Sequence, residues 1–153
     1  MKSENFHLGE RIYEAFRSEL QKHGYVTTTS DVMPNHEGNY TQSDVSSTKA
    51  DALLGIQIDS IGYQKGLFSS DYGPVAIVTA KIISTKTGDT LYEQTYWYGL
   101  TDESGRIMKY LAADQRYTFN SYDSLLSNGP LASSGLAALA PLLASAVANA
   151  MSK

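Results

Sequence analysis

The chain has 153 residues, of which 42% are hydrophobic and 18% charged, and its formal net charge at pH 7 is -4. This length is typical of one domain with a buried core, so residues 1–153 are expected to form a single domain. The acidic balance argues against nucleic acid and anionic lipid as main partners. Because the chain has no cysteine, disulfides, thiolate nucleophiles and cysteine-ligated zinc sites are excluded.

The first residues, 1–5, are expected to form a flexible tail. They lack the apolar segment of a signal peptide, so either the protein stays where it is made or a signal has been removed ahead of this start. Apolar residues then recur at helical spacing, which predicts a helix from about Phe6 to His23. Asn5 is the expected N-cap and Gly24 the expected stop.

A polar stretch separates this helix from the rest of the chain. Tyr25–Thr29 is rich in residues that favour strands and is predicted to form a short one. Residues 30–49 have no apolar period and contain Pro34 and Gly38, which predicts a surface loop with a helical turn near Gln42–Lys49.

The stretch from Ala50 to Gly99 has the pattern of three strands joined by two polar connections, Lys65–Pro74 and Thr85–Asp89. The apolar positions of the first two strands fall on one face of each: Leu54, Ile56 and Ile58, then Ala76, Val78, Ala80 and Ile82. The third strand, Thr90–Tyr98, carries Tyr92, Gln94, Tyr96 and Tyr98 on one face and Leu91, Glu93, Thr95 and Trp97 on the other. An antiparallel meander is the simplest arrangement.

The C-terminal third is predicted to be mainly helical. A short helix is expected over Arg106–Ala113, with Ile107, Tyr110 and Leu111 inward, and Ser121 is expected to cap a helical turn. Residues 131–151 are rich in alanine and leucine, contain no charge and are long enough to span a membrane. Their serines, Asn149 and Pro141 favour a helix bent at Pro141 and packed on the sheet.

These elements together predict an α+β fold, a two-layer sandwich. Its sheet is expected to be mainly antiparallel, with three to four strands and the helices packed on one face.

No motif in the chain indicates a catalytic, cofactor or metal site. His7, His23 and His36 do not have the i, i+4 spacing of a helical metal site. No phosphate-binding glycine motif is present either, and Asp102 and Glu103 lie in a predicted solvated loop. The expectation is therefore a protein that is not an enzyme and holds no cofactor.

The third strand is the most informative candidate for a functional surface. Tyr92, Tyr96, Trp97 and Tyr98 are the residues proposed for it. Aromatic rings exposed side by side could stack on a sugar or peptide. The competing interpretation is that the tyrosines pack under the helices with their hydroxyls at the rim.

The segment order resembles small bacterial envelope lipoproteins. It consists of Ala50–Leu54 ahead of a long strand, Val75–Ser84, the run Thr87–Glu93 (TGDTLYE) and an alanine-rich terminal helix. The resemblance is to the auxiliary lipoproteins of ABC-type transport systems and, more distantly, to the TolB N-terminal domain and curli-secretion lipoproteins. It implies an α/β sandwich without catalytic residues. It also implies a strand before the first helix and a lipid-bearing cysteine. Only Met1–His7 precede the predicted helical pattern, so the strand is expected to be absent, displaced or trimmed away, and the chain has no cysteine.

The resulting hypothesis is a non-enzymatic periplasmic protein, lipid-anchored to the outer membrane, that acts in envelope assembly or transport. Its expected partner is an envelope protein or a second copy of itself, with membrane contact only through the anchor. One alternative is a module that binds a ligand, peptide or glycan with the tyrosine-rich strand over residues 90–98. Another is a small hydrolase, which would require Ser46 and Lys49 of an S-x-x-K pattern to meet in a cleft.

Overall fold

The computed structural model describes residues 7–28 and 49–152. Its helices are α1 Leu8–Lys22, α2 Tyr122–Ser127, α3 Gly129–Ala137 and α4 Leu139–Met151. Its strands are β1 Ala52–Lys65, β2 Tyr72–Ser84, β3 Thr90–Gly99 and β4 Lys109–Ala112, and a 3-10 turn covers Gln115–Tyr117. The predicted tail, the loop up to Thr48, the helical turn near Gln42 and residue Ser46 of the S-x-x-K pattern lie outside the described residues.

The four strands form one mixed sheet in the order β1-β2-β3-β4. The first three pair antiparallel, and β4 runs parallel to β3. The predicted α+β fold with a mainly antiparallel sheet and helices packed against it is therefore confirmed.

The alternation read from the sequence assigns the faces of the central strands correctly. Ala76, Val78 and Ala80 are at most 1% exposed and face the helices. In the β2–β3 register, Ala76 lies opposite Tyr98 and Val78 opposite Tyr96, so these tyrosines share the helix-packed face. Residues directly opposite each other in two antiparallel strands lie on the same face of the sheet. The buried face of β2 therefore determines which face of β3 is buried.

Helix α1 packs mainly against α4 and joins the common core through one apolar stripe, consisting of Leu8, Ile12, Phe16 and Leu20. Each of these residues follows the last by one helical turn. Gly24 has φ 85° and ends the helix as predicted, because the Tyr25 amide then reaches the Leu20 carbonyl at 3.0 Å. At the other end His7 takes the N-cap position, and Asn5, the expected N-cap, lies outside the described residues.

Two predicted elements are wrong. Residues 25–28 form no strand, and Val26 is completely exposed, since strand propensity has no effect where no neighbouring strand pairs with the segment. No helix forms over Arg106–Ala113, because the C-terminal half of this segment is strand β4. Ile107, expected to point inward, is 87% exposed. Pairing with the edge of β3 outweighs the weak helical pattern of so short a segment.

The C-terminal helical segment breaks earlier than predicted. Pro141 has no amide hydrogen, and its ring would collide with the carbonyl four residues before it, at Ala137. The chain accordingly ends α3 at Ala137 and begins α4 at Leu139. Ser121, as predicted, caps α2 by accepting a hydrogen bond from the Ser124 amide at 3.0 Å.

Helix α4 is the most deeply buried helix of the described chain. Leu139, Leu143, Ala144, Val147 and Ala148 are all 0% exposed, and the alanines let α4 approach its neighbours closely. The segment Gly129–Met151 has the length and apolarity to cross a membrane, yet 50% of its apolar window is buried inside the protein. That burial is typical of the core helix of a folded domain.

Candidate functional site

The tyrosine-rich strand β3 belongs to the sheet, and Tyr96 and Tyr98 on one of its faces pack under the helices. Tyr96 is 1% exposed, and its hydroxyl is hydrogen-bonded to that of Tyr92 at 2.6 Å. Tyr92 is half-buried. Burial, together with this hydrogen bond, raises the pKa of Tyr96 well above the ordinary tyrosine value. The pair therefore keeps both hydroxyls satisfied where water has little access.

Tyr98 connects the sheet to α3. It is 0% exposed, and its hydroxyl donates to the Gly135 carbonyl at 2.6 Å. Tyr63 of β1 makes a similar bond, donating to the Ala132 carbonyl at 2.7 Å. Burial raises the pKa of both tyrosines, so both stay protonated and able to donate. Two tyrosines thus join α3 to the strands below it.

Trp97 points to the opposite face of the sheet and is also buried, at 8% exposure. Its indole Nε1 donates to the Thr101 carbonyl at 3.1 Å. Of the four residues proposed as a surface, Tyr96, Trp97 and Tyr98 therefore lie in the interior, and Tyr92 alone keeps part of its ring accessible. An exposed stacking platform requires open rings, so the structure does not supply one at these positions.

The close fit between α3 and the tyrosines depends on Gly135. A Cβ at this position would overlap the Tyr63 hydroxyl and lie 2.9 Å from Cγ of Tyr117. We expect Gly135→Ala to lower the free energy of unfolding by about 1–2 kcal/mol, because overpacking exceeds the gain in helix propensity. Urea unfolding followed by circular dichroism measures the change.

Gly129→Ala is the matched control, because it also places an alanine in α3 but meets nothing within 4 Å. It is expected to be neutral or slightly stabilising. Equal stability of the two variants would contradict the proposed fit.

The face of the sheet opposite the helices carries a row of polar side chains across three strands. Thr79 of β2 is central, donating to Asp59 of β1 at 3.1 Å and hydrogen-bonded to Thr95 of β3 at 2.9 Å. Lys81 lies opposite Glu93 in the next row. All five side chains are partly or largely exposed. The sequence placed Glu93 and Thr95 on one face of the third strand, but the row across three strands forms only once the register is set.

A shallow cleft of about 130 Å³ lies beside the turn that joins β1 to β2. It is lined by Gln64, Gly66, Ser69, Asp71, Gly73, Pro74, Val75, Leu100, Thr101, Glu103, Gln115 and Thr118. Beside it the Ser104 hydroxyl and amide donate to Asp102, which lowers the pKa of that carboxyl. Glu103 likewise accepts a hydrogen bond from the Thr101 hydroxyl at 3.2 Å. The cleft is too small for most organic ligands.

The two described histidines lie far apart in the chain, at the two ends of α1. His7 occupies the N-cap position without a side-chain capping hydrogen bond, and His23 Nδ1 lies 2.9 Å from the Ser152 hydroxyl. Within residues 7–28 and 49–152, no three His, Asp or Glu side chains are grouped closely enough to hold a metal ion.

The candidate site that remains is the polar row on the sheet face, together with the partly buried Ile77 beside it. No protein-family model, curated protein or solved structure matches the chain.

Proposed function

We propose that this protein is a non-enzymatic accessory protein of the bacterial cell envelope. In this proposal it resides in the periplasm and acts in assembly or transport by binding another protein. A lipid anchor in the outer membrane is part of the proposal and would need a cysteine outside residues 1–153, which contain none. The segment order from Ala50 to Glu93, with its resemblance to envelope lipoproteins, supports the cellular setting.

The observation that carries the binding role is the sheet face opposite the helices. Its central row, Asp59, Thr79 and Thr95, is already hydrogen-bonded side chain to side chain, so its geometry is set before a partner arrives. Ile77, on the same face, is only partly buried. A preorganised surface loses little conformational freedom on binding, and this favours its use as an interface with a separately folded protein.

Site-specific photo-crosslinking in living cells tests the binding role. A photoreactive residue at Glu93, which is exposed on this face, is expected to give one defined adduct with an envelope protein. The matched control is the same residue at Arg17, exposed on α1 in the helical layer. Adducts of equal yield from both positions, or none from either, would contradict the proposal. An adduct of twice the chain's own mass would identify a second copy as the partner.

The cellular setting has a separate test. Fractionation of the producing cells is expected to place the protein with the outer membrane. Radioactive palmitate is expected to label the native gene product, whose anchoring cysteine would have to lie outside residues 1–153. Recovery in the cytosol without label would overturn the envelope assignment and would leave the crosslinking result to be judged by itself.

A further inference from the structure

The hairpin that joins β1 to β2 ends in two large apolar side chains directed into solvent. Leu67 is 78% exposed and Phe68 is 102% exposed. The residues around them in the loop are small or polar, namely Gly66, Ser69 and Ser70, and cannot cover them. Two exposed neighbours of this size add nothing to the stability of the fold, and such features commonly mark contact sites.

The loop holds these side chains in a defined turn. The Ser69 amide donates to the Gly66 carbonyl at 3.3 Å, and the Asp71 amide donates to the Ser69 hydroxyl at 3.0 Å. The strands on either side are paired up to Lys65 opposite Tyr72. The turn therefore displays Leu67 and Phe68 at the end of a supported hairpin.

Behind the tip lies a collar of amphipathic side chains. The rings of Tyr72 and Tyr122 are 6.4 Å apart, and Lys65 Nζ lies 5.3 Å from the centre of the Tyr72 ring. Tyr122 is 59% exposed, and Leu126, one turn further along α2, is 52% exposed. Tyrosine and lysine with apolar stems and polar ends are the residues that favour the interface between lipid and water.

From this arrangement we propose that the tip of the β1–β2 hairpin inserts into the surface of a lipid bilayer, with Leu67 and Phe68 as the inserted residues. The shape favours lipid over a protein partner. A protruding pair offers far less than the roughly 800 Å² per partner of a stable protein interface. A bilayer accepts an inserted side chain without a complementary pocket.

The charges near the tip indicate which lipids matter. Lys65 is accompanied by Asp71 and Asp123, and the whole chain has a net charge of -4. Attraction to anionic headgroups is therefore weak, and insertion relies on apolar burial. The inference does not depend on the polar sheet face, because the two features lie on different parts of the molecule and are tested with different variants.

Binding to phosphatidylcholine vesicles, followed by sedimentation, tests the proposal. The double variant Leu67→Ser with Phe68→Ser is expected to reduce the partition coefficient about tenfold or more. Ile107→Ser is the matched control, because Ile107 is 87% exposed but lies outside the hairpin. It is expected to bind as the unaltered protein does, and circular dichroism checks that both variants keep the fold.

A depth measurement separates insertion from surface adsorption. Phe68→Trp adds an exposed indole to a chain whose one tryptophan, Trp97, is buried. Its emission is expected to shift to the blue on vesicles and to be quenched by lipids brominated on their acyl chains. Three results would overturn the proposal: no vesicle binding at millimolar lipid, equal loss of binding in the control variant, or crosslinking of position 68 in cells to a protein instead of to lipid.

Discussion

The free energy of unfolding is expected to fall steeply as the pH rises above about 10, by about 4 kcal/mol per pH unit. Burial raises the pKa of Tyr63, Tyr96 and Tyr98 in the folded protein. At a pH below the ordinary tyrosine pKa, all three tyrosines are protonated in both the folded and the unfolded chain. Above it, the unfolded chain releases protons that the folded chain retains, so stability is lost, by about 1.4 kcal/mol per pH unit for each tyrosine.

Urea unfolding at a series of alkaline pH values, followed by circular dichroism, measures this slope. Tyr98→Phe removes one of the three groups and is expected to reduce the slope by about a third. Tyr13→Phe, at a position 56% exposed, is expected to leave it unchanged. Absorbance at the tyrosinate band gives an independent measure of how many tyrosines are ionised at each pH. Ionisation of all the tyrosines in one step near pH 10, with the fold intact, would contradict the prediction.

Leu143→Ala is expected to destabilise the protein by about 3 kcal/mol or more. Leu143 is 0% exposed in α4 and belongs to the core that joins α1, α4 and the sheet. Truncation removes apolar contacts and leaves a cavity that its close-packed neighbours cannot fill. Urea or thermal unfolding measures the change. The slope of the unfolding free energy against urea concentration should be the same for the variant and the unaltered protein, which shows that the folded and unfolded states are otherwise alike.

The adjacent position provides the control. Leu142 is 38% exposed, so Leu142→Ala makes the same chemical change in the same helix outside the core. Its expected cost is well below that of Leu143→Ala. Similar costs at the two positions would mean that α4 is not packed on the sheet as described.

Local patterns in the sequence determined the elements whose residues repeat with one clear period. The stripe from Leu8 to Leu20 specified α1, and the alternation from Ala76 to Ile82 specified the buried face of β2. These predictions succeed because a period of 3.6 or 2 places apolar side chains on one face whatever that face packs against. Gly24 and Ser121 acted as local signals of the same kind, ending α1 and capping α2.

Only the tertiary structure decided which strand edges are paired and which strand faces are covered by helices. Lys109–Ala112 became a strand because the edge of β3 offered it backbone partners. Tyr96 and Tyr98 became interior residues because α3 and α4 cover their face, and the tyrosine spacing is the same for a buried face as for an open one. The polar row through Thr79 likewise joins residues from three strands and forms only in the final register. Periodicity specifies a face, whereas burial depends on contacts between residues distant in the chain.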